Sequence, residues 1–322
     1  MNYRDTTLDS VKGYAMILMI LGHCGLPYIL RNPIYSFHMP LFFFITGWFY
    51  KAKPLSTVFK TLLKRVLVPF LIVNILTAVY CTFLRIDIPL IYKSILYVKT
   101  SRPIIGGGNW LPGIGPQWFL IAYFFAYIYF YLLDTVIRSK RTELIILLLT
   151  FIICDIVARL YGLLPFGIMQ GLCASIYIFI GRKMREEEFR DRLLDTKYVR
   201  VGVFIWVLCA VVGFLSLASI YNKLSIFQII GALYGSIIFI WIIKKLPRCR
   251  MVENFGRDSL IVLCIHALDI KISTSVISYV FPENIENHFA IIFLGKMCFV
   301  LLVYSVYRYV YFNRKIRISY KS

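Results

Sequence analysis

The sequence predicts an all-α fold, a polytopic membrane protein of about ten transmembrane helices with its N- and C-termini on the cytoplasmic side. Three observations carry that reading. Of 322 residues, 60% are hydrophobic and only 16% are charged, below the roughly 25% of ordinary soluble domains. The apolar residues fall in runs of about 20, enough to cross roughly 30 Å of hydrocarbon as a helix. The basic residues gather in short clusters between those runs. No strand alternation of the kind a barrel needs is present. Helices are then the form that satisfies its own backbone in lipid.

In chain order, spans are expected at 11–29, 34–50, 66–84, 117–137, 143–161, 164–181, 201–220, 226–243, 259–280 and 289–312. With the N-terminus inside, 25 of the 36 Lys and Arg lie on the cytoplasmic side and 7 on the other. That asymmetry follows the positive-inside rule, and losing one span would scramble it. The first apolar run follows Lys12 and carries a His, so it reads as a span rather than a cleavable signal. Residues 85–116 form a long external loop with Gly106-Gly107-Gly108 as a flexible lid and a short interfacial helix over 91–98. Residues 182–200 form a charged cytoplasmic loop, helical around 186–191. No repeat or appended soluble domain is visible, so 1–322 reads as one membrane domain.

The net charge of +20 is spread over the loops. It reads as topology signal and contact with anionic membrane lipid, not as a nucleic-acid footprint, because no basic domain stands outside the membrane. The basic tail from Arg314 to Lys321 fits the same headgroup contact. The eight Cys are scattered singly without metal spacing, and no metal is expected. The glycine triplet is not a phosphate loop, because no Gly-Lys-Ser/Thr follows it.

Ionisable residues inside a span are costly and point to function. The first span holds Asp9, Lys12 and His23. Eleven residues at about 100° each come within about 20° of whole turns, so Lys12 and His23 share a face about 16 Å apart along the axis. Asp9, three residues before Lys12, joins that face. One stripe thus carries charge at the inner mouth and an imidazole in the outer half. Taken singly, His23 also suits a packing histidine, and Lys12 suits snorkelling to the headgroups. His38 enters the second span from the external side, about a turn deep. Two adjoining antiparallel spans would bring His23 and His38 close, an arrangement suited to proton transfer near neutral pH.

Other polar residues read more plainly. Asp155 and Arg159 pair along one helix face. Asn74 and Gln170 bond between helices. His266, Asp269 and Lys271 either line the same interior or hold helices together. His288 sits inert in an external loop. Trp118 either shapes a pocket or belongs to the interfacial aromatic belt.

These residues also resemble a known family. Arg4, Asp9 and Lys12 followed by ten residues and His23 resemble the Arg/Lys-x10-His signature of membrane acyltransferase family 3. Phe37-His38-Met39-Pro40-Leu41-Phe42-Phe43-Phe44-Ile45-Thr46-Gly47 is similar to its second-helix motif, nearest the fucose 4-O-acetylase-like, polysaccharide O-acetyltransferase branch. Lys64-Arg65 with Pro69, Gln117-Trp118-Phe119-Leu120, and Gly256-Arg257-Asp258-Ser259-Leu260 followed by His266 match further elements in the same order. The family's usual Arg is Lys12 here, and the esterase-like or racemase domains of some members are missing from this sequence.

The resemblance implies transfer of an acyl group, commonly acetyl, from cytoplasmic acetyl-CoA or another acyl-CoA to a hydroxyl on the outer side. The acceptor would be a sugar of a surface polysaccharide or its lipid-linked precursor, in a bacterial plasma membrane. It implies that Lys12, Lys64 and Arg65 hold the donor's phosphates, that His23 and His38 act with Asp9 in catalysis, and that Trp118 and His266 meet substrate. Direct transfer by a general base and a covalent acyl-imidazole are both open. A succinyl donor or a non-sugar acceptor keeps the same chemistry. A transporter or flippase of a lipid-linked glycan also predicts many helices, but would favour internal repeats and broken helices. A cell-wall polymerase would favour a larger external loop.

Overall fold

The computed structural model describes residues 6–83, 115–212, 217, 218, 220, 226–280 and 289–319. Arg4, the glycine lid, the 91–98 stretch, Lys223, His288 and the side chains of Lys271 and of the basic tail lie outside the described residues. Among the described residues every long element is a helix and there is no strand.

Helix α1 (Thr7–Gly22) and helix α2 (Tyr28–Trp48) are antiparallel neighbours. The expected bounds of this pair are corrected. α1 starts a turn earlier than 11 and stops at Gly22, because the chain reverses through Gly25, whose φ of 75° is left-handed, and then Pro27. α2 begins six residues before 34 and takes Pro33 and Pro40 inside it. The Ser36 hydroxyl donates to the Pro33 carbonyl (2.7 Å), satisfying an acceptor near that irregularity. His38 consequently lies about 15 Å into α2 rather than one turn deep.

Helix α3 (Leu55–Leu62) runs through a π turn at Leu63–Leu67 into α4 (Val68–Phe83). Pro69 explains the turn. It has no N–H for the carbonyl four residues back, and its ring pushes that carbonyl aside, so the ladder slips where Lys64 and Arg65 sit.

A 3₁₀ turn at Gly115–Gln117 leads into α5 (Trp118–Val136), followed by α6 (Lys140–Leu160), whose first turn is capped by Ser139. Helix α7 (Ile168–Lys183) starts after two residues of positive φ, Phe166 and Gly167, four residues later than expected. The cytoplasmic loop holds α8 (Glu187–Leu194), near the expected helix. Then come α9 (Thr196–Val212), α10 (Phe227–Lys245), the short α11 (Arg250–Arg257), α12 (Ser259–Val280) and α13 (Phe289–Ser319). Helices α3 and α11 lie between the expected spans.

Among the described residues four helical stretches are long and apolar enough to cross a membrane: Leu55–Val79, Gly115–Val136, Phe227–Lys245 and Phe289–Tyr311. Exposed Leu71, Ile75, Ile153, Phe204, Val211 and Leu302 would be a liability in water and suit contact with lipid.

Two close helix contacts frame the interior. A side chain at Gly13 would strike the Val252 carbonyl, and one at Gly256 would strike the Asp9 carbonyl, so α1 and α11 touch backbone to backbone. Gly47 and Gly181 do the same for α2 and α7, against the carbonyls of Ile178 and Phe44. Small residues permit this approach, the usual means of packing helices where no hydrophobic drive separates helix from lipid.

At one end of α5, α6 and α7 lies a buried ion cluster. Arg182 pairs with Asp134 and with Glu143 (3.0 Å), and Lys140 bridges the same two carboxylates at 2.7 and 3.1 Å. The Tyr50 hydroxyl donates to Asp134 (3.0 Å), and Arg185 donates to the Tyr50 carbonyl (2.8 Å). Three helices and the chain leaving α2 are tied there.

Candidate functional site

The phase argument for α1 places Lys12, Met16 and Met19 on one face, with His23 a turn beyond as the C-cap residue. Lys12, Met16 and Met19 all line a cavity of about 960 Å³. The π turn carries Lys64 and Arg65 onto the same wall, and the junction of α11 and α12 adds Arg257, Asp258, Ser259 and Leu260. Lys53 is a further cation there. On α5 the lining side chains are Phe119, Tyr123 and Tyr127, successive turns of one face. Trp118 is buried beside Phe119 and is not on this wall.

Charges on the wall are partly matched. Lys12 pairs with Asp9 at 2.9 Å, and Asp258 accepts from Tyr304 (2.8 Å) and Arg308 (3.2 Å). Lys64 and Arg65 have no carboxylate partner among the described residues. An anion entering here meets cations that no internal acid neutralises.

Asp9 stands fourteen residues before His23, about 21 Å by helical rise. It cannot touch the atoms His23 touches. Its ion pair makes it a holder of Lys12, which corrects its grouping with the imidazoles.

The imidazoles form a second cluster, beyond the cavity's described wall. His23 is exposed, and its ring lies 5.3 Å from that of His266 and 6.1 Å from that of Tyr35. Tyr35 in turn lies 5.1 Å from His38. His23 and His38 are within electrostatic reach of each other, as expected, and the Tyr35 ring stands beside both. The reason is the early start of α2, which sets Tyr35 against the end of α1, where its hydroxyl donates to the Gly22 carbonyl at 3.0 Å. That bond satisfies one of the acceptors left open at a helix C-terminus.

His38 is buried, and its Nδ1 lies 2.8 Å from the Ile34 carbonyl. A carbonyl only accepts, so Nδ1 carries the hydrogen, and in the neutral ring Nε2 keeps the lone pair. His38 thus has a defined basic nitrogen.

His266 is fully buried on α12, and neither ring nitrogen has a hydrogen-bond partner among the described residues. Asp269, one turn on, is 3.8 Å from the ammonium of Lys296 on α13. Sequence reasoning placed Lys296 inside a span without giving it a role. The available signal was a lone cation seven residues into an apolar helix.

The remaining candidates are structural. Asp155 and Arg159 pair at 3.0 Å, the Asn74 amide donates to the Phe70 carbonyl of its own helix rather than to a neighbouring helix, and Gln170 donates to the Ala218 carbonyl.

The arrangement offers a basic recess at one end of α1 and nitrogen bases at the other, along one helix face. A family model described as an acyltransferase domain matches residues 5–308. The nodulation protein NolL of Sinorhizobium fredii (strain NBRC 101917 / NGR234) is 42% identical over 69 residues, covering 18% of this chain and 19% of that protein. The match thus spans about a fifth of NolL. No solved structure matches. The chain belongs to membrane acyltransferase family 3.

Proposed function

We propose, with membership of that acyltransferase family as the premise, that the protein moves an acetyl or related acyl group from cytoplasmic acyl-CoA to a sugar hydroxyl on the outer side of a bacterial plasma membrane. The acceptor is a surface polysaccharide unit or its lipid-linked precursor. The chain crosses about ten times with both termini inside, which puts the first residues of α1 and the α11–α12 junction at the cytoplasmic face.

The observation that carries this reading is the basic cavity running along the Lys12–Met16–Met19 face toward His23. Phosphates of the donor lie against Lys64 and Arg65, with Lys12 turning from Asp9 to join them. The thioester arm follows the methionine face of α1 toward His23, a rise of about 16 Å from Lys12. There His23 takes the acceptor's hydroxyl proton while the oxygen attacks the thioester carbonyl, and the donor leaves as a thiol. His38, whose Nε2 carries the lone pair and whose ring lies beside Tyr35, is the second base.

Mass spectrometry of surface glycan from cells with and without the gene tests this reading. The expected result is loss of one acyl substituent per repeat in the deletion strain, with its mass naming the acyl group. Unchanged substitution together with less glycan at the surface would favour a transporter instead.

A further inference from the structure

Lys296 is 2% exposed, yet its ammonium makes no hydrogen bond with any described residue. Its counter-charge, Asp269, is 3.8 Å away, beyond hydrogen-bond length. At that distance the two charges attract each other without a hydrogen bond, so the ammonium keeps its donors for another acceptor. Behind Asp269 by one turn, His266 is also sealed, and its ring N–H has no acceptor among the described residues. Both groups back onto His23: the His266 ring is 5.3 Å from it, and Lys296 is within electrostatic reach of His23, His266 and Cys24. Two buried donors from two helices thus stand without acceptors beside the one exposed imidazole of the cluster.

We propose that Lys296 and His266 form a two-donor anion pocket behind His23 that receives the negative charge developing on the thioester carbonyl oxygen. The proposal rests on the acyl-transfer reading above. As the acceptor's O–H bond breaks, its proton goes to His23 and the oxygen bonds to the carbonyl carbon. The carbonyl π pair moves onto its oxygen, which accepts from the Lys296 ammonium and the His266 N–H. The pair then returns, the C–S bond breaks, and the thiolate leaves with the proton held by His23. Donors fixed in advance in a site that excludes water favour this charge far more than donors in water. Asp269 keeps the ammonium charged without occupying its hydrogens.

The test uses the full chain in membranes that carry the host's own glycan, with thiol release from acetyl-CoA as the readout. Removing Lys296 alone takes from buried Asp269 this counter-charge, so the informative variant is Lys296→Met with Asp269→Leu, which replaces both charges by apolar groups of similar size. Its kcat should fall by about 100-fold or more while the KM for acetyl-CoA stays within about threefold. Lys296→Arg, which keeps the charge, should retain part of the rate. A double variant within about threefold of the wild-type rate, a loss carried by KM, or a failure of the double variant to insert would each overturn the pocket. If the wild-type chain itself releases no thiol, acyl transfer fails as a reading. If the wild type is active and the double variant equals it, only the pocket falls.

Discussion

Two buried ion clusters in this protein are built in opposite ways. Around Arg182 the charges are met twice over: Asp134 and Glu143 each accept from both Arg182 and Lys140, and Tyr50 adds another donor. Around Lys296, among the described residues, one long ion pair is made and the hydrogens of the ammonium remain unused. The first cluster ties α5, α6 and α7 at one end. The second lies beside His23 and His266. Carboxylates shared between two cations suit architecture, whereas the unused donors beside a base are those assigned above to the proposed reaction.

That contrast can be broken experimentally. The largest effect is expected from His23→Ala, with kcat falling about 1000-fold and the melting temperature of the detergent-purified protein unchanged, because the ring is exposed. Near-normal acylation by the folded variant would remove His23 from the chemistry. Next comes Arg182→Met, which leaves half-exposed Lys140 as the cation shared by Asp134 and buried Glu143 and should cost about 2–3 kcal/mol of stability. Thermal unfolding checks the loss, and the surviving protein should keep an unchanged KM. A normal melting temperature would mean that the shared ion pairs do not hold these helices together.

Lys12→Ala should weaken acetyl-CoA binding about tenfold and Lys12→Arg about twofold, by titration calorimetry, since either cation can meet phosphate. Equal effects would reduce Lys12 to a partner of Asp9. The smallest change is expected from Tyr35→Phe, about 1 kcal/mol of stability from the lost bond to Gly22. A much larger loss of activity than of stability would show that Tyr35 passes protons between the two histidines.

What could be read from the sequence was what one helix determines by itself. The pairing of Asp9 with Lys12 and the shared face running to His23 follow from the period of α1 alone. The length and apolarity of α13 were likewise plain. Features that need two helices were not. Lys296 finds Asp269 and the imidazoles only when α12 and α13 pack, so it looked like one cation among many. The Arg182 cluster joins residues from three helices, and its members were counted as loop charges or passed over. The start of α2 was misplaced by six residues because an apolar count does not register Pro27 as a helix opener. That shift set Tyr35 beside both His23 and His38. The π turn at Lys64 and Arg65 follows from Pro69, but sequence alone does not say whether a proline bends a helix or ends it.

The described wall of the basic cavity reaches Met19, one turn short of His23, with Met16 and Met39 alongside it. An enzyme fed from both sides of a membrane runs the danger of becoming a pore. Unbranched thioethers make a soft, dry collar: pliable enough for a slender organic chain to thread, yet hostile to hydrated ions. Such a plug would let catalysis span the bilayer without dissipating the electrochemical gradient that the membrane maintains.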